Sequence, residues 1–132
     1  MSDLNASCLC GCVRLTLPDA FLNMGNCHCS ECRKFTGADY SSVGGIEQSK
    51  VVILAGESEI RYYPKSDETE LAFCSHCGSS LFSHKVKKGL FNIRLGILDT
   101  APRHAPDFHI HIASKAPWHT VNEALKQFEH GP

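Results

Sequence analysis

The chain has 132 residues, of which 42% are hydrophobic and 20% are charged, the profile of one domain that can bury a core of its own. Its formal net charge is −1, so no global field favours nucleic acid or an anionic membrane as a partner. No segment approaches the roughly 18 consecutive apolar residues of a membrane-spanning helix, and the N-terminus lacks the layout of a signal peptide, which predicts a cytoplasmic protein.

Short strands separated by turn residues account for most of the chain. Apolar and polar residues alternate over 12–17, which predicts a half-buried strand there. Segments rich in β-branched or aromatic residues and bounded by turn residues predict further strands at 39–46, 50–54, 58–63, 69–73, 80–84, 89–97 and 107–113. Many short strands without long helices between them predict a mainly β fold in a single domain over 1–132.

Two helices are predicted beside these strands. A short helix begins near Ser30, directly after a CxCxxC motif, and ends near Phe35. A C-terminal helix begins at Thr120, where Glu123 three residues later completes a capping box. Apolar residues continue this second helix at helical spacing: Val121, Ala124, Leu125 and Phe128.

Eight cysteines are the most informative residues of the sequence. Seven of them form a CxC motif (Cys8, Cys10), a CxCxxC motif (Cys27, Cys29, Cys32) and a CxxC motif (Cys74, Cys77). Such short spacings place two sulfurs on the same side of a tight backbone corner, where both can reach one ion at about 2.3 Å. In a reducing compartment this pattern predicts metal sites rather than disulfides, with zinc as the metal that suits soft thiolates. The alternative is a set of buried free thiols that pack as small hydrophobic side chains.

The eighth cysteine, Cys12, decides how many ligands are available. It lies on the predicted strand over 12–17, and we therefore interpret it as a thiol of the core. Seven ligands divide into a set of four and a set of three, which leaves one coordination place vacant. Spacing alone leaves the grouping open, because the Cys29/Cys32 and Cys74/Cys77 pairs could also form an ordinary zinc ribbon.

Four separated signatures resemble one known family. They are SCLCG at 7–11, CHCSECRKFTG at 27–37, FCSHCGSSLF at 73–82, and a histidine at 109 followed by SKAPW at 114–118. Together, from about residue 7 to about residue 118, they resemble the glutathione-dependent formaldehyde-activating enzyme family, which includes the centromere protein V type. The resemblance implies a zinc-containing, β-tent-like fold of several small, coiled antiparallel sheets, in agreement with the strand-rich prediction.

The resemblance also implies a role for each cysteine. Four residues match a closed structural zinc site: Cys8, Cys10, Cys74 and Cys77. Cys27, Cys29 and Cys32 match a catalytic three-cysteine zinc site with an exchangeable fourth ligand, so two zinc ions per chain are expected, the second bound less tightly. Cys12 falls where the family commonly has a small residue, a departure that fits the core interpretation and leaves open a spare thiol near the structural zinc. His109 matches the family's histidine and is included as a candidate catalytic residue.

These assignments lead to an expected activity, that of a zinc-dependent carbon–sulfur lyase. The enzyme would condense a thiol such as glutathione with formaldehyde or another small aldehyde, because a metal converts a thiol into the nucleophilic thiolate. Two alternatives are a non-catalytic, zinc-stapled module that binds another protein, and a redox protein that uses Cys29 and Cys32.

Residues beside these motifs allow more than one interpretation. We favour His28 as a surface histidine or one that supports the site over His28 as a fourth metal ligand or a proton shuttle. On the predicted strand over 107–113, His109 and His111 share one face, which is either solvated or a wall of the site. Arg33 and Lys34 could attract a carboxylate of glutathione or belong to the solvated surface. Phe82 and Trp118 are predicted to anchor the hydrophobic core.

Overall fold

A computed structural model describes residues 3–121 and 124–132 and contains two β-sheets. The strands of the described residues are β1 (Asp3–Ser7), β2 (Arg14–Pro18), β3 (Asn23–Cys27), β4 (Ser41–Glu47), β5 (Val52–Ala55), β6 (Ile60–Pro64), β7 (Thr69–Cys74), β8 (Ser80–Lys85), β9 (Leu90–Arg94), β10 (Phe108–Ile110) and β11 (Lys126–Gln127). One α-helix, α1 (Ser30–Thr36), follows β3, and short 3₁₀ turns lie at Gln48–Lys50, Glu57–Glu59, Leu95–Ile97 and Ile112–Ser114.

The two sheets differ in size and in strand direction. A three-stranded antiparallel sheet has the order β1-β2-β5, and an eight-stranded sheet has the order β11-β10-β3-β4-β9-β8-β7-β6. All pairings in the larger sheet are antiparallel except those of β10, which runs parallel to both β3 and β11. The predicted mainly β fold with a short helix after the CxCxxC motif is therefore confirmed.

The core lies between the two sheets because apolar residues alternate along their strands. On β1 and β2 every second side chain is buried, as shown by Leu4, Leu15 and Leu17, each 1% exposed. The larger sheet contributes the stacked rings of Phe82 and Phe91, whose centroids are 4.1 Å apart. Burial of each such side chain contributes about 1.5–3 kcal/mol. The same alternation places Cys8, which follows β1 in the CxC motif, on the buried side.

The predicted C-terminal helix is wrong. Residues 124 and 125 lie outside helices and strands, Lys126–Gln127 is strand β11, and Glu123 of the expected capping box lies outside the described residues. The segment follows β10 instead, with the Phe128 N–H donating to the carbonyl of His109 (2.8 Å). The Phe128 ring meets the Phe108 ring edge-on at 6.3 Å. Pairing with a distant strand has overridden a local helical pattern.

The two residues predicted to anchor the core differ in burial. Phe82 is fully buried, as predicted, but Trp118 is 72% exposed and donates its indole N–H to Asp39 (2.8 Å). Its role is thus to anchor one loop to another at the surface. None of the helices in the described part of the chain is long and apolar enough to cross a membrane.

Candidate functional site

The CxCxxC motif forms a corner between β3 and α1 that brings three thiols together. Cys27 is the last residue of β3, Cys29 is the N-cap of α1, and Cys32 lies in its first turn. The Cys29 sulfur accepts the Cys32 backbone N–H (3.2 Å), which satisfies one of the free donors at the start of a helix. At the other end, Gly37 adopts the left-handed conformation (φ 69°) and its N–H closes the helix onto the carbonyl of Arg33. The three sulfurs lie within 4.8 Å of one another.

The thiols of this corner differ in pKa because they hydrogen-bond to one another. Hydrogen bonds from Cys27 and Cys32 hold the pKa of Cys29 well below its usual range. The same interaction with Cys29 raises the pKa of Cys27. One thiolate held by two thiol donors is an arrangement that readily exchanges protons for a metal ion.

A buried cation faces the same three sulfurs. Arg94, at the end of β9, is 5% exposed and interacts with the Cys32 thiol. Its guanidinium donates to the hydroxyls of Ser41 (3.1 Å) and Ser83 (2.6 Å) and lies over the ring of Phe35, 5.1 Å from the centroid. Desolvation lowers the pKa of Arg94, although a guanidinium remains charged at any physiological pH. The corner therefore has a fixed positive charge behind its sulfurs.

A cavity of about 240 Å³ opens in front of the three thiols. The charged side chains that line it are three cations, Lys65, Lys85 and Arg94, and one carboxylate, Glu31. Lys65 pairs with Glu31 (3.0 Å), while Lys85 donates to the Thr69 hydroxyl (3.1 Å) and burial lowers its pKa. A cavity with an excess of cations attracts anionic ligands.

His28 and His109 do not line the cavity. Both side chains are fully buried, and His28 Nε2 and His109 Nδ1 are 2.9 Å apart. Tyr40 and His119 pack on the same cluster, with ring centroids 4.9 and 5.8 Å from that of His28. Parallel pairing of β10 with β3 brings these histidines together across 81 positions of sequence.

His111, rather than His109, lines the cavity. The predicted strand over 107–113 ends at Ile110, and His111 adopts the left-handed conformation (φ 58°), so the two histidines do not share a face. Among the described residues, His111 is the only non-glycine residue with positive φ. The C-terminal segment holds it there, since the His111 N–H donates to the carbonyl of His130 (2.8 Å). Strained backbone of this kind tends to occur at functional sites.

A second cysteine cluster joins the loop after β1 to the hairpin between β7 and β8. It contains Cys8, Cys10, Cys12 and Cys74, whose sulfurs all lie within 4.8 Å of one another. Cys12 does pack against the core, as predicted, but its sulfur is also 3.4 Å from those of Cys10 and Cys74.

Cys77 of the same hairpin also reaches this second cluster. Its thiol interacts with those of Cys8, Cys10 and Cys74. A hydrogen bond with the Ser79 hydroxyl (3.1 Å) lowers the pKa of Cys77 to about 5. The two loops are further tied by the Leu9 N–H, which donates to Ser79 (2.9 Å).

Both clusters have the dimensions of a metal site. Four thiolates around one ion at about 2.3 Å stand about 3.8 Å apart, and four of the sulfur pairs in the second cluster are separated by 3.4 to 3.9 Å. Each cluster could hold a metal ion, and the all-thiolate donor sets are consistent with zinc. Within residues 3–121 and 124–132, no further Cys, His, Asp or Glu joins the group of Cys27, Cys29 and Cys32.

The thiols of the CxCxxC motif lie together, as their spacing predicts, whereas the second group contains Cys12 in place of the expected Cys77. The cations of the cavity wall, Lys65, Lys85 and Arg94, belong to none of the sequence motifs. Arg33 and Lys34, for which both a carboxylate contact and a solvated surface position were open, do not line the cavity. No local pattern marks Lys85 or Arg94 as cavity residues, because only the pairing of the strands brings the ends of β8 and β9 to the cavity.

Comparison with known proteins gives three related findings. A family model described as "Glutathione-dependent formaldehyde-activating enzyme" matches residues 3–114. A Talaromyces marneffei protein named "Putative glutathione-dependent formaldehyde-activating enzyme" is 29% identical over 106 residues, which cover 77% of this chain and 57% of that protein. The chain thus spans little more than half the length of this curated relative.

The third finding is a structural likeness. A crystal structure of a Rhodobacter sphaeroides protein superposes with a TM-score of 0.61 and covers 77% of this chain and 97% of that chain. The two sequences are 21% identical, so this likeness concerns the fold alone.

Proposed function

The chain belongs to the glutathione-dependent formaldehyde-activating enzyme family, and from this premise we propose that it joins a thiol to a small aldehyde in the cavity beside Cys27, Cys29 and Cys32. In this addition the S–H bond of the thiol breaks, a carbon–sulfur bond forms at the carbonyl carbon, and the carbonyl oxygen takes up the proton. The product is a hydroxymethyl thioether when the aldehyde is formaldehyde. No oxidant or reductant is required, and the reverse reaction is that of a carbon–sulfur lyase.

The cysteine corner is the proposed catalytic centre. Cys27, Cys29 and Cys32 would hold zinc, which, when bound, favours the thiolate form of an incoming thiol. The other cluster would hold a structural zinc through Cys8, Cys10 and Cys74, with Cys77 as the fourth ligand that the family resemblance implies, for two ions per chain. The corner is the catalytic candidate because it offers three thiols within the described residues and opens onto a cavity, whereas the other cluster has a full set.

The charges of the cavity favour glutathione as the thiol. Glutathione carries two carboxylates and one ammonium group, and the wall offers the cations Lys65 and Lys85 together with the carboxylate of Glu31. At about 240 Å³ the cavity is smaller than the roughly 300–1,000 Å³ of common ligand pockets. It would therefore take the thiol end of glutathione and a small carbonyl, while the rest of the peptide lies across the lysines at its mouth. A large aldehyde would not fit beside the thiol.

His111 is the proposed proton carrier. It lines the cavity and interacts electrostatically with Cys29, so its imidazole can accept the thiol proton and return it to the carbonyl oxygen. His109, predicted as a catalytic residue, would act as a positioning residue, because it is buried against His28 and precedes His111 by two positions.

One observation carries the proposal: three thiols lie at the base of a cationic cavity and no fourth described protein ligand closes their set. The direct test is Cys29→Ser. Exchange of ¹³C-formaldehyde between its free and glutathione-bound forms is measured by NMR, with the uncatalysed exchange subtracted. We expect the variant to lose the catalysed exchange and one of two metal equivalents while its circular dichroism spectrum is unchanged.

A control and a spectroscopic measurement separate this function from its rivals. Lys87→Ala changes an exposed residue that does not line the cavity and should retain full exchange activity. In cobalt-substituted protein, the absorption spectrum should change when glutathione is added to the wild type but not to Cys29→Ser. A Cys29→Ser variant as active as the wild type would refute the catalytic site, and a wild-type cobalt spectrum indifferent to glutathione would favour a non-catalytic binding module.

A further inference from the structure

The second cysteine cluster and the neighbouring Cys77 together offer five thiols, one more than a tetrahedral ion can bind. Its sulfur separations are 3.6 Å for Cys8–Cys10, 3.4 Å for Cys10–Cys12, 3.4 Å for Cys12–Cys74 and 3.9 Å for Cys10–Cys74. These values bracket the ~3.8 Å edge of a four-thiolate zinc site. The four thiols of this set therefore form a complete ligand set without Cys77.

Cys77 nevertheless lies beside the same set. Its thiol interacts with those of Cys8, Cys10 and Cys74. These are the same three thiols with which Cys12 is grouped. The Ser79 hydroxyl holds Cys77 from the outer side (3.1 Å). Five thiols are thus available for the four coordination places of one ion. Three of them, Cys8, Cys10 and Cys74, are shared, while Cys12 and Cys77 approach them from different loops.

The backbone of Cys12 is fixed by the neighbouring turn. Gly56, between β5 and β6, adopts the left-handed conformation (φ 78°), and a Cβ at this position would fall on the carbonyl of Cys12. Close packing of this kind holds the Cys12 side chain toward the cluster, where it is half-buried against the core. Cys12 is therefore presented to the cluster by the fold and is not a loosely attached surface thiol.

From this arrangement we propose that Cys12 and Cys77 are interchangeable fourth ligands of one metal centre, whose other three ligands are Cys8, Cys10 and Cys74. Exchange needs only local movement of a cysteine side chain on each loop, because Cys12 already belongs to the set of four and Cys77 packs beside it and interacts with the shared three. At any moment one of the two thiols is bound and the other is free. This inference concerns the second cluster and is independent of the proposed reaction.

The first test compares four variants for metal content and cobalt absorption: Cys12→Ser, Cys77→Ser, the double variant Cys12→Ser/Cys77→Ser, and Cys74→Ser. Each single variant at position 12 or 77 should keep the four-thiolate cobalt spectrum and bind the metal within about twofold of wild type in chelator competition, since one of two equivalent arrangements remains. The double variant and Cys74→Ser should both lose the four-thiolate spectrum. Loss of that spectrum in either single variant, or its retention in the double variant, would overturn the proposal.

The second test uses the unmodified, metal-loaded protein and so does not depend on how the variants fold. A short pulse of iodoacetamide followed by peptide mass spectrometry locates the free thiol of the cluster. We expect the label to be divided between Cys12 and Cys77, with Cys8, Cys10 and Cys74 protected. Label confined to Cys12 would mean that Cys77 is a permanent ligand, and label confined to Cys77 would mean the converse; either result would contradict the exchange.

Discussion

Arg94 places a permanent positive charge beside three sulfurs, of which that of Cys27 is buried and the other two are half-buried. Three thiolates and a divalent ion leave a net charge of −1, and a buried negative charge is costly unless a cation lies nearby. The guanidinium supplies that cation, and its two terminal nitrogens donate to Ser41 and Ser83. Arg94 therefore compensates the thiolate charge and also fixes the back wall of the cavity.

Removing this charge should weaken metal binding at the corner. We expect Arg94→Gln to reduce the affinity of the Cys27/Cys29/Cys32 site by about 10- to 100-fold, the usual cost of losing a group that supports metal ligands. The measurement is competition for cobalt with a chromogenic chelator. Ser83→Ala is the matched control, because it removes one partner of the guanidinium and keeps its charge. Equal weakening in both variants would mean that the hydrogen bond matters and the charge does not.

Lys85 should give thiol binding a pH dependence that an ordinary lysine would not show. Burial lowers its pKa, and a lysine attracts a carboxylate only below its pKa, so the KM for glutathione should begin to rise at a lower pH than for an exposed lysine. Arginine stays charged, and Lys85→Arg should remove this rise. Ionisation of the glutathione thiol affects the wild type and Lys85→Arg equally, so it cancels in the ratio of their KM values at each pH. If this ratio of KM values did not change with pH, Lys85 would be excluded from glutathione binding.

The end of β10 is the element on which the cavity depends most. Its parallel pairing with β3 sets Ile110 beside Cys27, and the C-terminal segment pairs with its other edge. Two backbone bonds, from Ile112 to Phe128 (2.9 Å) and from Ala113 to Glu129 (3.2 Å), continue this contact past His111. The segment from residue 124 onward thus supports a residue of the cavity wall without lining the cavity itself.

Loss of one backbone donor in this segment should misplace His111. Phe128→Pro removes the N–H that donates to His109, and we expect kcat to fall about tenfold or more, because small displacements of a positioned group are costly to catalysis. Phe128→Ala loses the ring and keeps the N–H, so it is the matched control. The NMR signals of the His111 ring should shift in the proline variant only. If both variants have the same kcat and the same His111 signals, the segment has no positioning role.

Local pattern predicted most elements, and long-range pairing explains the failures. The alternation over 12–17 that predicted β2 depends on residues next to each other in sequence, and one buried face enforces it. The early end of β10 and the existence of β11 depend on backbone bonds between segments that share no local signal. The thiol corners were predictable because CxC and CxxC spacing is local, but Arg94 was not, since only the fold brings β9 behind the corner.

At the scale of the whole molecule, the two proposed metal centres contribute differently to stability. The second cluster joins Cys10 to Cys74 across 64 positions, whereas Cys27 and Cys32 are neighbours in sequence. A cross-link that closes a loop of the longer kind stabilises a protein by about 4 kcal/mol, and a five-residue closure contributes much less. Fold stability should therefore depend mainly on the second cluster.

Stepwise metal removal should separate activity from stability. The first metal lost to a mild chelator should come from the corner, and it should abolish thiol-dependent exchange with little change in the melting temperature. Removal of the second metal should lower the melting temperature by roughly 10–20 °C, as expected for about 4 kcal/mol in a domain of this size. Metal analysis, calorimetry and exchange activity are measured on the same samples. A large fall in melting temperature with the first metal lost would reverse the assignment of the two centres.

The pairing of β3 with β10 has a consequence for the growing polypeptide. His109 is translated about 80 residues after its partner Asn26, a delay on the order of ten seconds at common elongation rates. Six cysteines, up to Cys32, are translated before Cys74 and before strands β4 to β10. A metal ion captured by the nascent chain at this stage can meet the complete corner set of Cys27, Cys29 and Cys32, whereas the second cluster still lacks Cys74. The corner can therefore be filled first, and the second cluster only after β7 has been translated.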